Sequence, residues 1–106
     1  MRRDIFQAIA DPTRRAIVTL LMTQALTPNT LAERFDTTRQ AVSKHIKVLQ
    51  ECGLVAGEQL GREIYYKIVP MKLKEVADWL EPFRQMWEDN FNRIDDLLEQ
   101  IKNKEL

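Results

Sequence analysis

Cysteine and histidine are nearly absent from this chain of 106 residues, which has one of each, Cys52 and His45. A single cysteine excludes a disulfide within the chain. With one histidine beside it, a structural zinc site would lack its usual four nitrogen and sulfur ligands in one subunit. No apolar run reaches the roughly 18 residues that a membrane span needs, and Met1-Arg2-Arg3-Asp4 leads into an amphipathic pattern rather than a signal-peptide block. A cytoplasmic protein with no membrane contact is the expectation. Glycine and proline are scarce, at three and four residues, and with a hydrophobic share of 44% this excludes a disordered chain. Net charge is also missing, because 16 Lys and Arg balance 16 Asp and Glu. The balance is uneven along the chain. Residues 1–67 hold 10 basic and 7 acidic side chains, a net of +3, while residues 68–106 hold 6 and 9, a net of −3.

What is present is punctuation by helix caps. Asp4 to Ile9 offers Ile5, Phe6 and Ile9 on one face of a short helix. Asp11-Pro12 opens a second helix: the carboxylate accepts from orphan N–H groups and the proline has none to lose. Its stripe of Ile17, Val18, Leu20 and Leu21 runs to about Gln24. Thr27-Pro28 opens a third through Leu31, Ala32 and Phe35. Thr37 or Thr38 opens a fourth through Ala41, Val42, His45, Ile46, Leu49 and Cys52, stopped by Gly53. The period then changes. Leu54–Leu60 and Glu63–Ile68 read as two strands around Gly61-Arg62, although Ala56, Gly57 and Glu58 are poor strand formers. From Met71 onward helical periodicity returns. Val76, Leu80, Phe83, Trp87, Asn90, Ile94, Leu97 and Ile101 alternate at spacings of four and three, and Pro82 either kinks one helix or starts another.

Two capped helices joined by about three residues have the layout of a helix-turn-helix, whose second helix lies in the DNA major groove. If Val42, His45, Ile46 and Leu49 face inward, the opposite face presents Arg39, Gln40, Ser43, Lys44 and Lys47. Arginine and lysine suit guanine edges, glutamine suits adenine, serine suits either, and Lys47 suits a phosphate. The hairpin after this helix places Arg62 beside a turn glycine, where a wing reaches the backbone or minor groove. The expected fold is mainly α with a small β-hairpin, a winged helix-turn-helix with one or more long C-terminal dimerisation helices. Residues 1–70 form the DNA-binding part and residues 71–106 the dimerisation part of one compact unit.

Four ordered stretches carry a family resemblance: Ala10-Asp11-Pro12-Thr13-Arg14-Arg15-Ala16-Ile17, Leu31-Ala32, Gln40 through Val55 (QAVSKHIKVLQECGLV), and Gly61-Arg62-Glu63-Ile64-Tyr65-Tyr66-Lys67. Over roughly residues 4–69 the chain resembles the ArsR/SmtB family of bacterial winged-helix repressors. The resemblance implies a homodimer on a palindromic operator in double-stranded DNA, usually repressing its own operon until an inducer, a small molecule or a protein, releases it. On matching positions it implies that Arg39, Gln40, Ser43 and Lys44 read bases, with Lys47 and Arg62 on the backbone and Thr38 counted among the DNA-binding residues. Gln59 and Leu60 stand where many relatives carry wing arginines. Metal-sensing relatives hold a cysteine pair in the first helix of the motif, or a His/Asp/Glu set on C-terminal helices. Here Pro28 to Phe35 contains no sulfur, and no histidine follows His45. No metal and no cofactor are expected.

The remaining chemistry is sparse. Ser43 and His45 stand two apart, on different faces of a helix, and there is no phosphate loop or nucleophile motif, so the chain reads as no enzyme. His45 reads as a hydrogen-bonded core residue and Cys52 as a small buried one. The C-terminal seam wants a partner helix. Phe83, Trp87, Asn90, Phe91, Ile94, Leu97 and Ile101, helped by Ile5, Phe6 and Ile9, are assigned to a dimer interface, with Asn90 fixing register. An aromatic-rich helix equally suits a small-molecule pocket. The alternative function is a winged-helix interaction module that binds a partner protein through this seam.

Overall fold

Side-chain caps set the start of each of the four short helices. Asp4 accepts from the backbone N–H of Gln7 at 2.8 Å, and Gln7 Oε1 accepts from the N–H of Asp4 at 3.0 Å. This capping box opens α1 (Ile5–Ala8). Asp11 accepts from Arg14 N at 3.0 Å and opens α2 (Pro12–Leu21). Thr27 accepts from Thr30 N and opens α3 (Pro28–Arg34), and Thr38, not Thr37, accepts from Ala41 N and opens α4 (Arg39–Glu51). Two strands follow, β1 (Val55–Leu60) and β2 (Glu63–Ile68), then a 3-10 turn (Pro70–Leu73) and α5 (Lys74–Lys104). These elements are those of a computed structural model in which residues 4–104 are described.

The helix ends are as informative as the starts. α3 and α4 close with the same hydrogen-bond pattern. Thr37 N donates to Ala32 O and Asp36 N to Glu33 O; Leu54 N donates to Leu49 O and Gly53 N to Gln50 O. In this motif the residue after the cap takes the left-handed conformation. Gly53 does so without strain at φ 77°, whereas Asp36 does so at φ 49° as an aspartate, one of the few side chains that tolerate it. α2 ends at Leu21, short of the expected Gln24. Leu26 has to be extended by then, because it exchanges two hydrogen bonds with Tyr66, N to O at 3.0 Å and O from N at 2.8 Å. This bridge lays a third, one-residue edge beside the antiparallel hairpin.

The hairpin pairs Val55 with Ile68 through Leu60 with Glu63 and turns at Gly61-Arg62, with Gly61 at φ 66°. Gly57, opposite Tyr66, explains how a poor strand former fits. A Cβ there would come within 3.0 Å of Ile64 Cγ2 and of Tyr66 Cε1, so the strand is bare where two larger side chains cross it.

The chain divides into two compact units, Met1–Glu75 and Val76–Leu106. The boundary lies a few residues beyond 70, because Val69 N donates to Leu54 O at 2.7 Å and Lys72 N to Val69 O, which keeps the 3-10 turn with the hairpin. In the first unit the core gathers Ile17, Leu31, Val42, Ile46, Leu49 and Leu54, all fully buried, with Ile5 and Ala8 of α1 and Val55 of β1. Val48 is buried as well, so the inward face of α4 is wider than its stripe suggested. The second unit is a single helix that runs through Pro82. Arg84 holds Glu81 on one side, at 2.5 and 3.0 Å, and Glu88 on the other at 2.7 Å, which ties together the turns on either side of the proline. The rings of Trp79 and Phe83 lie 5.1 Å apart, tilted by 51°.

Candidate nucleic-acid interface

The polar side of α4 is built by subtraction. Once Val42, Ile46, Val48 and Leu49 have turned into the core, Arg39, Gln40, Ser43, Lys44 and Lys47 are left exposed, with Thr38 at the cap. No acidic residue lies on this helix before Glu51. The exposed side has two rows. Arg39 and Ser43 are four apart and share one row; Gln40, Lys44 and Lys47, spaced four and three, form the next.

Arg62 is exposed in the hairpin turn, whose geometry is stiffened by Gln59 Nε2 donating to Gly61 O at 3.4 Å. Between α4 and the hairpin lies a groove of about 420 Å³, bounded by Thr27, Pro28 and Asn29, by Arg39 and Ser43, and by Arg62, Glu63, Ile64 and Tyr66. Of the residues expected to meet DNA, it brings together Arg39, Ser43 and Arg62. Thr38, Gln40, Lys44 and Lys47 stand outside it. Asn29, Glu63 and Tyr66 were not among the residues the sequence assigned to DNA. Their place depends on the bridge between Leu26 and Tyr66, which joins the start of α3 to β2 and leaves no local signal. Glu63 accepts a hydrogen bond from the Tyr65 hydroxyl at 3.3 Å.

Behind this face, His45 is half-buried on the edge of the core rather than enclosed in it. Its charge is among those felt by Asp11. The Asp11 carboxyl lies below its ordinary pKa, first because the Arg14 backbone N–H donates to it and then through the charges of His45 and Arg14. Cys52 is also half-buried, not buried, and its Sγ donates to Leu49 O at 3.2 Å. Among the described residues no three His, Cys, Asp or Glu side chains gather where they could hold a metal ion, and no helix is long and apolar enough to cross a membrane.

The residues assigned to a dimer interface separate. Ile5 belongs elsewhere: it is 4% exposed, already packed in the core of its own unit, because a four-residue helix has few inward positions and Ile5 takes one. Phe6 and Ile9 are half-buried. Phe83, Trp87, Asn90, Phe91, Ile94, Leu97 and Ile101 are all exposed along α5, together with Met86 and Leu98.

Residues 9–58 match a family described as a helix-turn-helix domain. The chain is 31% identical to the transcriptional repressor SdpR of Bacillus subtilis over 76% of its own length and 89% of that protein. It is 38% identical to the HTH-type transcriptional regulator Rv2034 of Mycobacterium tuberculosis over 74% of this chain and 73% of the other. It spans only 55–60% of several longer mycobacterial regulators. Among solved structures, an ArsR-like transcriptional regulator from Rhodococcus sp. RHA1 superposes with a TM-score of 0.66 at 35% identity, covering 88% of each chain.

Proposed function

We propose that this chain, which belongs to the ArsR/SmtB family of winged helix-turn-helix transcriptional regulators, acts in the cytoplasm as a homodimeric repressor of a palindromic operator upstream of its own gene. The observation that carries the reading is the uninterrupted polar and basic face of α4, with Arg62 across a groove from it. A helix of this kind lies in the major groove and its side chains meet base edges, while the hairpin reaches over the adjacent backbone. Residues 1–70 bind DNA, through Thr38, Arg39, Gln40, Ser43 and Lys44 toward the groove and Lys47 and Arg62 toward phosphates. Residues 71–106 hold the dimer.

The apolar side of α5 supports the dimer. Phe83, Trp87, Phe91, Ile94, Leu97 and Ile101 are between 43% and 63% exposed, a continuous apolar face that a second copy would cover. Twofold symmetry then sets two α4 helices to successive major grooves, about 34–36 Å apart on B-DNA. Asn90 in the seam would pair across the twofold and set register. An inducer, a small molecule or a protein, would act by shifting the separation of the two helices.

Charge distribution fits the same division of labour. The +3 half carries the DNA face, and the −3 half carries α5, whose acidic side chains discourage it from lying along phosphates. Gel shift and footprinting on the DNA upstream of the protein's own gene test the proposal. A protected palindrome, lost steeply with salt, is expected. Equal affinity for that DNA and for an unrelated duplex would overturn specific repression and leave the seam as a docking surface for another protein.

A further inference from the structure

The groove between α4 and the hairpin separates two kinds of side chain that the family reading treats as one. A helix seated in the major groove and a wing that reaches outside it have one thing between them, the sugar-phosphate strand that divides the major from the minor groove. A side chain that lines the space between helix and wing therefore meets phosphate, whereas on the outward row Gln40 and Lys44 meet base edges and Lys47, farther along the helix, meets the backbone. Arg39 and Ser43 line that space; Gln40, Lys44 and Lys47 do not.

The groove's composition suits an anion. Arg39 borders it from the first turn of α4 and Arg62 from the hairpin turn, so two arginines from separate elements line one space of about 420 Å³. A guanidinium is a planar fork that fits two phosphate oxygens at once. Asn29 and Ser43 add neutral donors. Glu63 is the one acidic side chain on the border, and the Tyr65 hydroxyl donates to it. Two cations against one carboxylate leave the groove net positive.

We infer that Arg39 and Arg62 close on a single backbone phosphate in each half-site, beside Asn29 and Ser43, so that Arg39 positions the protein on the duplex and base reading rests on Gln40 and Lys44. The inference rests on the repressor reading above and narrows it. It also gives the wing a purpose that needs only one arginine, in a chain whose hairpin has Gln59 and Leu60 before the turn.

Phosphate-ethylation interference on the footprinted operator tests it, with wild type, Arg39→Ala, Arg62→Ala and Glu63→Gln. All three side chains are exposed, so the fold is not at stake. Ethylation of one particular phosphate per half-site should block the wild type, weaken either alanine variant less than it weakens the wild type, and act at the same phosphate in both. Each alanine variant should bind operator and unrelated duplex about tenfold more weakly in parallel, with the salt slope reduced by about one. Glu63→Gln should tighten binding to both duplexes. If Arg39→Ala instead reorders the ranking of single-base-pair operator variants and leaves the slope unchanged, or if the two alanine variants lose different phosphates, the inference fails while the repressor reading stands. A wild type without preference for its operator overturns both.

Discussion

Arg14 Nε donates a hydrogen bond of 2.5 Å to the carbonyl oxygen of Ala8, and its Nη2 reaches the carbonyl of Gln7 at 3.2 Å. Arg15 does the same one step on, with Nη1 at 3.1 Å from Ile9 O and 3.2 Å from Ala10 O. α1 has four residues, too few to satisfy its own carbonyls or to persist alone. The paired arginines of α2 therefore cap the helix before them. They are basic residues whose hydrogen bonds hold the first unit together.

Arg14→Ala should lower the unfolding free energy by about 1–2 kcal/mol, the cost of charge-assisted bonds to carbonyls left partly unsatisfied. Arg14→Lys should not restore it, because an ammonium cannot span two carbonyls in the same fork. Urea denaturation reads both, as a shifted midpoint with an unchanged slope.

Acid should weaken the fold through Asp11. Its carboxyl is held below the ordinary value, chiefly by the Arg14 backbone N–H. Its contribution is therefore full above the unfolded carboxylate pKa and is lost as the pH falls through the lower, folded value. Asp11→Asn keeps a capping oxygen but does not titrate. Its stability should sit below wild type at neutral pH and decline less steeply in acid, so that the two curves converge. Parallel curves would show that Asp11 is not the titrating cap.

The three glycines should respond differently to substitution. Gly53→Ala should cost about 1–2 kcal/mol, since φ 77° is left-handed and the new Cβ would lie 3.0 Å from Lys72 Cε. Gly61→Asn should be well tolerated, because φ 66° suits asparagine and nothing lies within 4 Å. Gly57→Ala should displace Ile64 or Tyr66 and weaken operator binding more than it lowers the melting temperature. Thermal melts and gel shifts on the three variants separate these outcomes.

Trp87→Glu combined with Ile94→Glu should convert a dimer to a monomer at micromolar concentration, read by sedimentation velocity. Operator affinity should then fall by about a hundredfold or more, because the second half-site is no longer bound intramolecularly. Retention of the dimer would move the interface off α5.

Legibility in the sequence followed the range of each interaction. Asp11, Thr27 and Thr38 act as caps where expected because a cap reaches only two or three residues ahead. Gly53 ends α4 as expected because the left-handed position is a local demand. The exposed row of α4 was legible for the same reason, since helical period alone puts Gln40, Lys44 and Lys47 opposite Val42, Ile46 and Leu49. Asp36 in a left-handed turn was not expected, because an aspartate there is permitted rather than required. Ile5 was assigned outward and is buried, since a short helix offers too few positions for periodicity to choose a face.

By itself, then, the sequence determined the succession of caps, helices and hairpin, the polar face of α4 and the apolar side of α5, all of which follow from contacts within a turn or a strand pair. Tertiary structure alone decided that Arg39 and Arg62 border one groove and that Asn29 and Glu63 share it. That meeting depends on the two hydrogen bonds between Leu26 and Tyr66, residues far apart along the chain that no local contact brings together. It also decided that Arg14 and Arg15 are taken up by the carbonyls of Gln7 to Ala10 at and just beyond the end of α1, because a guanidinium goes to whichever acceptor folding leaves unsatisfied within its reach.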